Sequence, residues 1–76
     1  MTTMRELAIE GMSMRAAGKQ PDEIRAFIFR KASELALERG TQLTETGDDR
    51  SWQMRLVSAG HVIAYSESNG YSYRSS

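Results

Sequence analysis

The spacing of apolar residues changes period at Gly40, and no motif in the chain constrains the fold as much as this change does. Before Gly40, Ala, Leu, Met, Glu and Arg recur at helical spacing. After it Thr, Ser, Val, Tyr and Trp alternate, punctuated by Gly and by Asn69-Gly70. A switch from a period of about 3.6 to one of about 2 implies helices followed by strands. The expected fold is α+β: two N-terminal α-helices packed on one face of a C-terminal three- to four-stranded antiparallel β-meander. Residues 1–76 form one small domain, with helices over 3–18 and 21–39 and strands over 41–46, 52–58, 61–67 and 71–74.

The first helix has a cap in Thr2 or Thr3, with Glu6 three residues after Thr3 as in a capping box. Gly18 suits the left-handed residue beyond its end. Met4, Leu7 and Met14 project to one side, and Ala8, Ile9, Met12 and Ala16 to the neighbouring side. That apolar sector is wider than the stripe one core face needs. The second helix opens on Pro21, Asp22 and Glu23, and closes on Arg39 and Gly40, the residue types that favour each terminus. Ile24, Ile28, Ala32 and Leu35 make its central stripe, with Ala36 beside it. Phe27, Phe29 and Leu37 lie around the flanks, too far apart in angle to share one face, so at least one projects away from the core.

In the strand half, Leu43 anchors the first strand and Gly47-Asp48-Asp49 forms a loop. Trp52, Met54 and Leu56 then alternate with Gln53, Arg55 and Val57. A two-residue turn at Ala59-Gly60 sets Leu56 opposite Ile63 and Met54 opposite Tyr65 on one buried face. Asn69-Gly70 is a strong hairpin signal, and a two-residue turn there pairs Ser68 with Tyr71. This register puts Tyr71 and Tyr73 on the outer face, beside Arg55 and Arg74.

A chain of 76 residues buries a limited core. Small domains of this kind gain stability from disulfides, metals or association. No cysteine is present and His61 is the one histidine, so a thiolate or histidine metal site is not expected and association leads. Ten basic and ten acidic residues cancel, so no global field draws the chain to nucleic acid or membrane. No apolar run approaches the roughly 20 residues that span a bilayer, which implies a cytoplasmic protein with no membrane partner.

Catalytic chemistry finds no foothold. Nucleophilic catalysis needs a base beside an activated hydroxyl or thiol, and His61 stands at the start of a strand next to a tight turn. Glu45, Asp48 and Asp49 lack the ligand spacing of a calcium loop. No glycine-rich phosphate cradle occurs, and no catalytic, cofactor or metal residues are assigned.

The expected function is noncatalytic protein binding by a small homodimeric regulator or inhibitor, with a protein partner the sequence does not name. Phage accessory proteins share this size and this lack of catalytic residues, an analogy rather than a motif. The candidate contacts are Met4, Met12, Phe27, Phe29, Tyr71 and Tyr73, with Arg30, Arg55 and Arg74 giving orientation. The alternative is nucleic-acid binding. It would use either the basic second helix with Arg25, Arg30 and Lys31, or a sheet face where Tyr71 and Tyr73 stack bases while Arg55 and Arg74 hold the backbone.

Overall fold

The computed structural model describes residues 3–57 and 60–75. Two helices, α1 (Met4–Ala16) and α2 (Pro21–Glu38), precede four strands, β1 (Leu43–Asp48), β2 (Ser51–Leu56), β3 (His61–Ser66) and β4 (Gly70–Ser75). The strands form one antiparallel sheet in the order β1-β2-β3-β4. Both helices lie on one face of this sheet. α1 packs against α2, β4 and β3, and α2 against β1. The two-helix, antiparallel-meander architecture read from the change in period is the one observed.

The helix ends follow from their capping residues. Thr3 Oγ1 accepts a hydrogen bond from the Glu6 amide at 3.2 Å, which satisfies an amide that has no partner within α1. α1 stops where Gly18 takes a φ of +86°, and there the Lys19 amide donates to Met14 O and the Gly18 amide to Arg15 O, both at 3.0 Å. This paired closure repeats at the end of α2. Thr41 donates to Ala36 O at 2.9 Å and Gly40 to Leu37 O at 3.2 Å, with Gly40 at a φ of +65°. Each helix thus ends at a residue that only glycine occupies without strain.

The core sits between the helices and the inner face of the sheet. Met4, Leu7 and Ala8 of α1 and Ile24, Ile28, Ala32, Leu35 and Ala36 of α2 close over Trp52, Met54, Leu56, Ile63, Tyr65 and Tyr71. Gly11 marks the closest approach. A Cβ at that position would lie 2.9 Å from Ile28 Cδ1 and 3.2 Å from Tyr71 Cδ1, so α1 crosses α2 and β4 where it has no side chain.

The strand registers differ from those expected of the sequence, in two distinct ways. Trp52 faces Tyr65 and Met54 faces Ile63, so the β2–β3 pairing is displaced by two residues from the expected one. The connection takes up residues 57–60, of which 58 and 59, and with them the expected two-residue turn, lie outside the described residues. A shift of two returns every side chain to its expected face, because strand side chains alternate with period 2. The β3–β4 pairing moves by an odd number. Ser66, not Ser68, faces its partner across the turn; that partner is Gly70, and Tyr65 faces Tyr71 while Ile63 faces Tyr73. Residues 67–69 make the turn, the Asn69 amide donates to Ser66 Oγ at 3.1 Å, and Gly70 adopts a φ of +77°. The odd shift carries Tyr71 and Tyr73 from the outer face to the core face. Burial of two aromatic rings outweighs the tightest turn that Asn69-Gly70 could make.

Candidate binding surfaces

The structure divides the nine candidate contact residues into three groups. Met4 and Tyr71 are core residues, 1% and 6% exposed, their side chains enclosed by the chain's own helices and sheet. The rings of Phe27 and Tyr73 are partly buried against that core. Met12, Phe29, Arg30, Arg55 and Arg74 are exposed. The surplus of apolar side chains expected from the sequence is therefore smaller than the count of thioethers and rings, because four of the six apolar candidates complete the intramolecular core.

Apart from Val57, which follows β2, the exposed large apolar residues that remain stand at opposite edges of the sheet. On α1, Ile9 and Met12 are 51% and 45% exposed, one helical turn apart. Met12, with Arg15 and Ala16, borders Asn69 and Tyr71 at the β4 edge. On α2, Leu37 with Ser33 and Ala36 faces Thr41, Gln42 and Leu43 at the β1 edge, and the exposed Phe29 lies one helical turn beyond Arg25, which reaches Glu45 of β1.

The two edges differ in charge. Glu45 belongs to the inner row of the sheet, opposite Met54, and so points an acid toward the core side of an edge strand. Arg25 of α2 holds it there, with Nε 2.9 Å from Glu45 Oε2 and Nη1 2.7 Å from Asp49 Oδ1. These two carboxylates raise the Arg25 pKa above its ordinary value, the Glu45 hydrogen bond having the largest effect. Inward charge on an edge strand discourages further strand pairing. The inner positions of β4 are Tyr71, Tyr73 and Ser75, and they carry no charge.

A second polar contact fastens β4. Nδ1 of His61 and the Tyr73 hydroxyl share a hydrogen bond of 2.5 Å, with the rings stacked at 5.8 Å and 18°. A recess of about 240 Å³ beside this pair is lined by Thr3, Met4, Arg5 and Arg39. Its visible role is to pin the start of β3 to the end of β4.

The outer face of the sheet has no helix over it. In one row across the strands stand Thr44, Arg55, Val62 and Arg74, and in the next Thr46, Gln53, Ala64 and Ser72. No aromatic residue is in either row. The expected stacking surface of Tyr71 and Tyr73 beside Arg55 and Arg74 is thus absent, since the tyrosines and the arginines lie on opposite faces. The basic-helix arrangement is altered too, because Arg25 is bound to two carboxylates and Arg30 lies 5.9 Å over the Phe27 ring. Sequence reasoning singled out neither Gly11 nor the Arg25–Glu45 pair. Position i of one element and position j of another carry no local signal of their meeting.

Among the described residues, no helix is long and apolar enough to cross a membrane, and no three His, Cys, Asp or Glu side chains converge as metal ligands. The fold and these surfaces define a small α+β protein with two helices on one face of an antiparallel meander. No family model, curated protein or solved structure matches the chain.

Proposed function

We propose that this chain is a noncatalytic binding module that acts as a homodimer, a small regulator or inhibitor whose two copies join along the β4 edge. The difference between the two sheet edges carries this reading. β1 presents an inward acid braced by Arg25, whereas β4 presents Tyr71 and Tyr73 on its inner side and runs beneath the exposed Met12. An unpaired edge without an inward charge is a template for another strand.

A second copy suits this edge on symmetry. An isologous contact brings the same strand against itself in antiparallel sense. With the two-fold axis at Ser72, Tyr71 faces Tyr73 of the second copy and each Arg74 faces a Gly70. Met12 and Ile9 from both copies then meet above the seam, removing apolar surface from water at about 25 cal/mol per Å². Sedimentation equilibrium at micromolar concentration should give twice the chain mass. A folded monomer at several hundred micromolar would overturn the proposal.

A further inference from the structure

The uncovered outer face of the sheet holds a groove of about 350 Å³ lined by Thr44, Thr46, Gln53, Arg55, Val62 and Arg74. Its volume falls at the small end of the range for small-molecule sites. Val62 forms its floor and is 7% exposed although no helix lies over it. Its neighbours in the row are Arg55 on one side and Arg74 on the other, so their aliphatic stems are the groups placed to cover it while the guanidiniums stay in water. Two strand spacings separate the arginine backbones, about 10 Å, a distance that two long side chains can close upon one ligand.

The charge of this face is uncompensated. The ion pairs among the described residues are Arg25–Glu45, Arg25–Asp49 and Arg50–Glu67, and neither Arg55 nor Arg74 takes part in them. The outer-face acid, Asp48, lies two rows away and accepts the Arg50 and Ser51 amides at 2.9 and 3.1 Å. Two unpaired guanidinium forks select an oxyanion, for which their planar donors are matched. Beside them, Thr44 Oγ1, which donates to Arg55 O at 3.4 Å and keeps its acceptor capacity, the Thr46 hydroxyl and the Gln53 amide offer hydrogen bonds to a hydroxylated body. No ring is present to stack a base, which separates this groove from single-strand nucleic-acid platforms.

We propose that this groove binds the phosphate monoester of a hydroxylated small molecule, a ligand of the sugar-phosphate class. The guanidiniums of Arg55 and Arg74 hold the phosphate, and Thr44, Thr46 and Gln53 face the hydroxyls. The site lies within one chain, so it stands whether or not the chain dimerises.

The test is amide chemical-shift titration of the full chain with ribose 5-phosphate, inorganic phosphate, unphosphorylated ribose and a short oligothymidylate. Ribose 5-phosphate should shift amides of β2, β3 and β4 around Val62 and bind more tightly than inorganic phosphate, while ribose should not bind. Arg55→Gln and Arg74→Gln should each weaken it about tenfold, the loss of one charge-assisted contact. Thr44→Val keeps both cations and should weaken ribose 5-phosphate more than inorganic phosphate. No shift around Val62, or affinity unchanged in both arginine variants, overturns the proposal. Tighter binding of the oligothymidylate than of ribose 5-phosphate, falling steeply with salt, also overturns it and moves the face to nucleic-acid backbones.

Discussion

Tyr65 and Tyr71 stand directly opposite one another on β3 and β4, with ring centroids 4.6 Å apart, and Trp52 closes the row at 5.9 Å from Tyr65. This three-ring row runs across β2, β3 and β4 under the helices. It fixes which side of β4 faces the core, and so leaves the outer face to Arg55, Arg74 and hydroxyl-bearing residues. The separation of an aromatic core face from a cationic outer face originates here.

Replacing Tyr71 by Ala should cost about 3–5 kcal/mol in urea unfolding, the cost usual for a large buried ring. That is a large share of the stability expected for a domain this small. Tyr71→Phe keeps the ring and should cost far less.

Tyr71 also gives a pH signature. Burial, reinforced by Tyr65, pushes its pKa up to about 12 from an ordinary value of 10.0. Its raised pKa means that the unfolded chain loses this proton first. The stabilising contribution is complete below pH 10 and declines as pH rises through the folded value, so unfolding should become easier between roughly pH 10 and 12. Denaturation midpoints over that range should fall less in Tyr71→Phe than in the parent chain.

The helices and the faces of β2 and β3 were legible because each rests on a periodic pattern over many positions. Ile24, Ile28, Ala32 and Leu35 fall on one side whatever the exact helix bounds, and all are buried. Even the misplaced β2–β3 register left Trp52, Met54, Leu56, Ile63 and Tyr65 on the core side, because the error was even. The face of β4 rested on a single local signal, Asn69-Gly70, and an odd error reversed it. The same reversal removed Tyr71 and Tyr73 from the expected contact surface. What no pattern reveals is the pairing of residues distant in sequence, such as Arg25 with Glu45 or Gly11 with Tyr71.

Gly47 should be intolerant of substitution. Its φ is +102°, and a Cβ there would overlap Ser51 O and approach Trp52 Cα at 2.7 Å, both backbone atoms of the adjoining strand. Neither can move without disturbing the first turn of the sheet. Gly47→Ala should lower stability by about 2 kcal/mol or more, measured by denaturant titration, whereas Ala at the exposed Gly18 should cost less, since strain there is not joined by a clash.

The Arg25–Glu45 pair should matter more for specificity than for stability. Both side chains are partly exposed, so removing Glu45 as Glu45→Gln should cost about 0.2–1 kcal/mol, with smaller loss at high salt. Glu45→Val replaces the inward charge by an apolar strand former, and should open the β1 edge to pairing. Light scattering should then show species larger than those of the parent chain. Unchanged mass would mean that the acid does not guard this edge.

Met12 and Phe29 separate the two flanks. They have nearly equal exposure, 45% and 42%, but Met12 borders Tyr71 at the β4 edge while Phe29 lies one helical turn beyond Arg25, which reaches Glu45 of β1. A charge at either position enters partly solvated surface, so Met12→Glu and Phe29→Glu should affect folding to a similar, modest degree. Association along β4 requires that they differ in self-affinity. Met12→Glu brings two acids toward the two-fold seam and should raise the dissociation constant at least tenfold, about 1.4 kcal/mol. Phe29→Glu should leave it within a factor of two. Sedimentation over a concentration series reads both. The reverse order of effects would place the interface on the α2 flank, and equal loss of folding and association in both variants would return these side chains to the core.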